Sequence, residues 1–512
     1  MRTWAATVCL ALGAATVAGM PAAIPPASII EHIKFLASDE LKGRDTGSEG
    51  LERAGDYIAR QFAAIGLTPG GKGNGWFQPF DVVVGLTVGS GNRLSIEHGS
   101  TRVSLALAVD YYPLSATAND VPGTSSASLD DVPVVFAGYG LVVEGAHAYD
   151  DYAGVDVSGK AVLIFSHEPQ EENPDSVFDG TRPMRETTLR AKAAAARTRG
   201  ARALIVIADP VHRTDDAPYA LFSSDPNAEN HGIPVLRVKR SEMRAFVEAW
   251  GLDALARRID EDLMPRSRLL SGVTVDYDER LARNTKTVRN VVGVLPGSDP
   301  KTTEAVVLGA HYDHVGLGGR LSVAPERAGE VHNGADDNAS GTAAIIEIAR
   351  AAAADRGRFP RTLVFVAFAA EERGLLGSAR YVEDPSVPVA DTVAMLNLDM
   401  VGRARGGVDV SGLETVRALE PDLEAAASAI GGVLKVRRQG PGAGRSDDAS
   451  FLARGIPAIN FFTGFHDDYH RPSDDWQKID AVGTGQVATL ALELAARIAA
   501  RPERPVFTPA ER

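Results

Sequence analysis

The chain has almost no cysteine: its 512 residues contain one, Cys9. That residue sits in an apolar run, Trp4 to Val17, which follows Arg2 and leads into Ala18-Gly19-Met20-Pro21-Ala22-Ala23. The pattern reads as a secretory signal peptide over residues 1–23 and predicts a secreted or periplasmic protein. A lipid-modified Cys9 is disfavoured because the apolar run continues past it. A mature chain without cysteine forms no disulfides, so any metal site in it must be built from His, Asp and Glu. Long hydrophobic runs are lacking too. The N-terminal run falls short of the ~20 residues that span a bilayer, and no later segment is long and apolar enough, so no membrane span is expected in the mature chain. Excess positive charge is the third absence. The net charge of -14 argues against nucleic acid or an anionic membrane as partner, since both select basic surfaces.

What is present is an ordinary globular composition, 44% hydrophobic and 23% charged, in a chain long enough for two domains. Residues 27–67 read as two helices. In the second, Leu51, Ala54, Ile58, Phe62 and Ile65 make one apolar face, with Ser48 as N-cap and Gly66 as stop. From about 120 to 285 the texture changes. Val132 to Gly140 is a strand into a glycine turn, Ala161–Phe165 and Ala203–Ile207 are buried strands, and Thr188–Thr198 and Ser241–Trp250 are helices. No cluster of His and acids appears there. From 286 onward apolar runs at Val306–Leu308, Thr362–Phe368, Val393–Leu398 and Ala458–Phe462 alternate with helical patterns such as Ala343–Ala354 and Gly485–Ala500. This predicts an α/β fold with an open sheet and helices on both faces. The domain reading is 24–119 for the N-terminal part of the main domain, 120–285 for an inserted lobe, 286–500 for the core, and 501–512, with three prolines, for a loose tail.

The ionisable residues of the C-terminal half follow those strands. His311 and Asp313 come after the first, Glu371 and Glu372 after the second, Asp399 at the end of the third, and His466, Tyr469 and His470 after the fourth. Asp336-Asp337 lies in a loop that opens a helix. Sites in open α/β sheets form outside the carboxyl ends of the strands, so four strands deliver these groups to one edge. Asp336, Glu372 and Asp399 converging without countercharge would repel and be costly to desolvate, and few Lys or Arg lie in these loops. One or two divalent cations supply the missing charge, and His with carboxylate suits zinc. A bridging carboxylate would hold two ions about 3.5–4 Å apart. Of Glu371 and Glu372, one can ligate while the other stays free as a general base, its pKa raised by its neighbour. Taken singly, a Glu-Glu pair is a common solvated helix start and Asp336-Asp337 could simply cap a helix. Their joint placement carries the metal reading.

The segments Gly309-Ala310-His311-Tyr312-Asp313-His314, Asn333 to Gly341, Ala370 to Ser378, Asn397-Leu398-Asp399-Met400 and Asp468 to Asp474 resemble, in order and spacing, the co-catalytic zinc aminopeptidase family that includes bacterial leucyl aminopeptidases, aminopeptidase Y and the glutamate carboxypeptidases. The resemblance implies a zinc exopeptidase fold with a mixed, mostly parallel sheet, and two zinc ions. It implies that Asp336 bridges them, with a cis bond to Asp337. His311 and Asp399 would complete one metal's ligands, Glu372 and His470 the other's. Asp313 would orient His311, Glu371 would be the general base and Tyr469 would bond the oxyanion. Residues 149–156 and 159–163 resemble a protease-associated (PA) domain, a β-rich insertion found in several such enzymes. One departure is Ser446-Asp447-Asp448, where many relatives have Ser-Asp-His. His314, His332 and His466 are extra histidines, read as supporting or loop residues.

The expected function is hydrolysis of N-terminal residues from peptides. A carboxypeptidase or dipeptidase would use Arg403 or Arg445 for the substrate carboxylate, although either Arg fits a structural ion pair. A glutaminyl cyclase-like acyltransferase would use one zinc, and a non-catalytic binding ectodomain would lack ligands.

Overall fold

A computed structural model describes residues 23–114, 124–143, 145, 148–178, 184–212, 231–319, 321–439 and 446–509. Residues 1–22 of the expected signal peptide, Cys9 among them, and Arg445 lie outside the described residues. The chain divides into two compact units, residues 1–80 with 288–512 and residues 81–287. Within the described residues no helix is long and apolar enough to cross a membrane.

The first unit is an α/β layer structure. Its helices are α1 (Pro26–Leu36), α2 (Glu49–Ile65), α3 (Gly341–Ala354), α4 (Leu376–Glu383), α5 (Glu420–Ala429), α6 (Asp448–Leu452) and α7 (Ala481–Ala500). Its strands are β1 (Arg268–Leu295, of which the last residues belong here), β2 (Ala305–His311), β3 (Thr362–Phe368), β4 (Thr392–Leu398), β5 (Gly407–Ser411), β6 (Lys435–Arg438) and β7 (Ala458–Phe462). They line up in the order β6-β5-β7-β4-β2-β3-β1. β2 is parallel to both β3 and β4, and β4 to β7; β1 and β5 run antiparallel to β3 and β7.

Side chains alternate across these central strands, and both faces are apolar, which requires cover on each side. One face carries Val307, Val364, Val366, Phe368 and Met395, packed with Tyr381 of α4 and Phe451 of α6. The opposite face packs on α3, which contacts α1, α2 and α7 in turn. α2 forms as its periodicity predicts: Ser48 Oγ accepts from Leu51 N at 3.1 Å, Gly66 turns left-handed at φ 90°, and Leu51, Ala54, Ile58 and Phe62 are buried. Each large side chain so buried contributes about 1.5–3 kcal/mol.

The second unit has its own sheet. Ala161–Phe165 and Ala203–Ile207 are parallel, flanked by Thr124–Phe136 and Val235–Val238. Helices Leu189–Thr198 and Leu252–Asp262 belong to it. The expected helix at Ser241–Trp250 is shorter, Arg244–Ala249.

Two sequence boundaries need correction. Residues 81–119 were expected with the main domain, yet they fall in the second unit. There Arg93–His98 pairs antiparallel with Val273–Asp278, and Tyr111–Pro113 with Val235–Val238. The expected loose tail is irregular but tied down through residue 509: Thr508 N donates to Thr415 O at 2.8 Å and Arg504 Nη2 to Thr392 O at 2.7 Å.

Candidate metal centre

The parallel strands end at one edge and bring the predicted residues together there. His311 is the last residue of β2, Glu371 and Glu372 follow β3, Asp399 follows β4, and His470 comes on the loop after β7. His311 Nε2 lies 3.3 Å from Asp337 Oδ1, 3.4 Å from Asp399 Oδ1 and 4.0 Å from Glu371 Oε2. His470 Nε2 lies 3.1 Å from both Asp337 Oδ2 and Glu372 Oε2. Asp337 thus faces the two groups with its two different oxygens.

This overturns one residue assignment. The carboxylate among the donors is Asp337, not Asp336, and the cis peptide joins Asp337 to Asn338. Asp336 points the other way. Its Oδ1 accepts from Gly402 N at 2.5 Å and Ser340 Oγ at 3.0 Å, and its Oδ2 lies 3.1 Å from His466 Nε2. It clamps the loop behind Asp399 instead of facing the donors. Two adjacent aspartates carry the same label in the sequence, and only the backbone path between β2 and α3 separates their directions. Gly334, with φ 56°, permits that path: a Cβ there would sit 2.2 Å from the Asp337 carbonyl oxygen.

The loops around the donors are held by hydrogen bonds. Asp313 accepts from the backbone N of Glu371 at 3.0 Å and of Glu372 at 3.3 Å, and from Thr46 Oγ1 at 3.1 Å. Its carboxylate is 3.8 Å from His311 Nδ1, whose nearer acceptor is the Asp313 carbonyl oxygen at 3.2 Å. Asp313 therefore acts on His311 mainly through its backbone and on the Glu pair through its side chain. His314 Nδ1 sits 2.9 Å from Glu372 Oε1 and pins it. His332 faces Ser322 Oγ at 2.8 Å and the Glu330 carbonyl, outside both donor groups. Three backbone positions beside or at donors are left-handed, Ala370 (φ 61°), Met400 (φ 53°) and His470 (φ 51°), strain of the kind that clusters at functional sites.

Sequence reasoning missed Arg44. It is fully buried and donates from Nε to Tyr312 O at 2.8 Å, from Nη1 to Asn333 O at 2.8 Å and from Nη2 to Gly334 O at 3.0 Å. It ties the His311 loop to the Asp337 loop. Burial pulls it down to about 10, against the pull of Asp337 and Asp313, so it stays cationic at neutral pH. No local pattern marks it, because its partners lie far along the chain.

The electrostatics fit a cation. Burial holds Glu371 well above the usual carboxylate range, with Glu372 and Asp399 adding to the rise. Burial also works against His470, but Glu372 and Asp337 overcome it and lift the ring to about 11. Asp399 Oδ1 is buried with no hydrogen-bond partner among the described residues. The carbonyl oxygens beside His311 Nδ1 and, at 2.6 Å, beside His470 Nδ1 can only accept, so both Nδ1 atoms donate and both Nε2 atoms turn to the carboxylates. Two donor sets result, His314, Asp337, Glu372 and His470, and His311, Glu371 and Asp399, each with ligand atoms within 4.8 Å of one another.

The donors open on a cavity of about 500 Å³, also lined by Met400, Asp409, Ser411, Phe462, Phe465 and Tyr469. Tyr469 stacks on His470 with ring centroids 3.9 Å apart. Arg403 does not line the cavity: it is buried and donates to Asp474 Oδ1 at 2.9 Å and Asp468 Oδ2 at 3.3 Å. Asp448 of the Ser446-Asp447-Asp448 segment is buried at the start of α6.

Comparison with known proteins places these features. Residues 290–495 match peptidase family M28, and residues 119–246 match the PA domain. Leucine aminopeptidase 1 of Metarhizium robertsii is 34% identical over 180 residues, 34% of this chain and 42% of its own. Aminopeptidase YwaD of Bacillus subtilis is 30% identical over 209 residues, 39% of this chain and 42% of its own. The chain thus spans less than half the length of these curated relatives. Among solved structures, the aminopeptidase from Aneurinibacillus sp. strain AM-1 is similar with a TM-score of 0.55 and 25% identity, covering 95% of this chain and 97% of that one. BSAP, a zinc aminopeptidase from Bacillus subtilis, shares the fold with a TM-score of 0.50 at 21% identity, covering 93% and 95%. Residues 290–495 of this chain are a peptidase family M28 domain, and residues 119–246 are a PA domain.

Proposed function

We propose that the chain is a secreted or periplasmic aminopeptidase that holds two zinc ions and releases N-terminal residues from peptides. The observation that carries the reading is the pair of donor sets meeting at Asp337 on the floor of a cavity. His311 and Asp399 would hold one ion, Glu372 and His470 the other, with Asp337 between them. His and carboxylate donors suit zinc, and the two faces of Asp337 suit a two-ion site. Bound zinc supplies Lewis acidity, making a water more acidic and a carbonyl more electrophilic.

The chain's own residues do the rest. Glu371 lines the cavity within the second donor set, 4.0 Å from His311 Nε2, and its carboxylate accepts no hydrogen bond among the described residues. It takes the proton of the attacking water and returns it to the leaving amine. The Tyr469 hydroxyl, on a ring fixed by stacking on His470, donates to the oxyanion that develops at the scissile carbonyl. Arg44 and Asp313 keep the donor loops in register.

Charge supports the exopeptidase direction. The described lining of the cavity contains acids and histidines and neither Lys nor Arg, which favours a substrate amine over a carboxylate. Arg403 is committed to Asp474 and Asp468, which removes one anchor for a carboxypeptidase. Two donor sets favour hydrolysis over a one-zinc cyclase, and a complete donor set argues against a non-catalytic ectodomain. The test is amino-acid release from short peptides, free and N-acetylated, by protein stripped with a chelator and then resupplied with zinc. Zinc-dependent release from the free-amine peptides alone is expected. Equal release from acetylated peptides, or release of C-terminal residues only, would overturn it.

A further inference from the structure

We propose that Asp409 makes this site select an N-terminal lysine or arginine, a reading that rests on the aminopeptidase function above. β5 and β7 run antiparallel, with Asp409 opposite Phe462 and Ser411 opposite Asn460. The alternate residues Val408, Val410, Ile459 and Phe461 are fully buried. Asp409, Ser411, Asn460 and Phe462 instead face the cavity. A pocket built for a branched apolar side chain would put hydrocarbon at those positions; here three of the four are polar.

The rest of the pocket suits the stem of a long side chain. A row of rings leads from the donor cluster to this ledge. Tyr469 stacks on His470, Phe465 lies 5.0 Å from Tyr469, and Phe462 lies 5.1 Å from Phe465. Methylenes can lie along that row while a cationic tip reaches past Phe462 to the carboxylate opposite. Asp409 is largely buried, so its charge is poorly screened by water. Its Oδ1 is held by Arg437 Nε at 2.5 Å, from an edge strand outside the cavity lining, while Oδ2 has no hydrogen-bond partner among the described residues. Arg437 thus fixes the carboxylate and leaves one oxygen for a substrate ammonium or guanidinium.

A hydrogen bond to a charged group corresponds to about a tenfold or larger preference, with the low end expected because Arg437 shares the charge. The experiment compares kcat/KM of the zinc-loaded full chain for lysyl, arginyl, norleucyl and leucyl 4-nitroanilides. Norleucine matches the lysine stem and lacks the amine. Wild type should favour lysyl over norleucyl by about tenfold or more, and Asp409→Asn should bring that ratio close to one. Both substrates are measured on the same protein, so loss of folded enzyme cancels in the ratio. A wild-type ratio at or below one, or a ratio that Asp409→Asn leaves intact, would overturn the proposal. If Asp409→Asn does not fold, the wild-type ratio alone decides. Failure to release any of the four residues with zinc present would instead overturn the aminopeptidase reading.

Discussion

Each unit buries a group of acids, and the two groups are built differently. In the second unit Asp151 is fully buried, yet its Oδ2 accepts from Tyr139 N and Leu141 N at 3.0 Å each and its Oδ1 from the Tyr149 hydroxyl at 2.8 Å. Asp209 accepts from the Tyr139 hydroxyl at 3.1 Å and from Val211 N at 2.9 Å. A buried cation, Lys192, acts on both acids electrostatically. In the first unit Asp337, Glu371, Glu372 and Asp399 crowd three histidines, His311, His314 and His470, and Asp399 Oδ1 has no hydrogen-bond partner among the described residues. The number of buried acids is therefore a poor sign of a metal. The useful sign is acids whose hydrogen bonds and charges do not close among themselves.

The sharpest way to break the contrast is at Glu371. If it is the base and no ligand is lost with it, Glu371→Gln should cut kcat by about 10²–10⁴-fold, while zinc per chain, measured by elemental analysis, stays at the wild-type value. Loss of zinc with activity would make it a ligand and shift the base elsewhere.

Next comes the aspartate pair. Asp337→Asn should lower bound zinc and activity together, by roughly 100-fold or more in kcat/KM if the transition state loses about 3 kcal/mol. Asp336→Asn should retain zinc, because that side chain faces Gly402, Ser340 and His466. The reverse pattern would restore the original sequence assignment.

That pair also marks how far the sequence could be read. The strands at Thr362–Phe368 and Ala458–Phe462 match the expected residues end to end, and β2 and β4 extend theirs slightly, because a buried parallel strand is an unbroken apolar run. The donor loops were legible for the same reason: strand ends punctuate the sequence. What was not legible depended on direction or distance. Asp336 and Asp337 differ only in which way a turn points them. Arg44 meets Asn333 and Gly334 only after folding. β5 and β6, short and with charged residues on their faces, gave no apolar run, so the ledge carrying Asp409 went unseen.

Zinc itself should separate the units. A ligand at 1,000 times its Kd stabilises the folded state by about 4 kcal/mol. Chelation should therefore raise hydrogen exchange in residues 305–314 and 334–341, and leave 139–151 and 203–207 nearly unchanged. Equal loss of protection in both regions would mean that the second unit is not self-sufficient in the sense its hydrogen bonds suggest.

The smallest expected effect tests whether the second group is as closed as its bonds imply. Burial pulls Lys192 down to about 8 from 10.5, although Asp151 and Glu168 favour its charge. Between those values the unfolded chain holds more protons on this group than the folded chain does. Its contribution to stability is therefore fully present above the unfolded value and lost as pH falls through about 8. The whole effect is at most about 3 kcal/mol. Denaturant unfolding of wild type from pH 8 to 10, followed by a probe in the second unit such as Trp250, should show this rising component. Lys192→Met, which removes the titrating group and keeps an unbranched stem, should flatten it. If both proteins share one slope, Lys192 is compensated well enough by Asp151, Glu168 and the His167 carbonyl oxygen, to which its ammonium donates, that burial costs its charge nothing measurable, and the contrast with the acids of the candidate metal centre becomes sharper still.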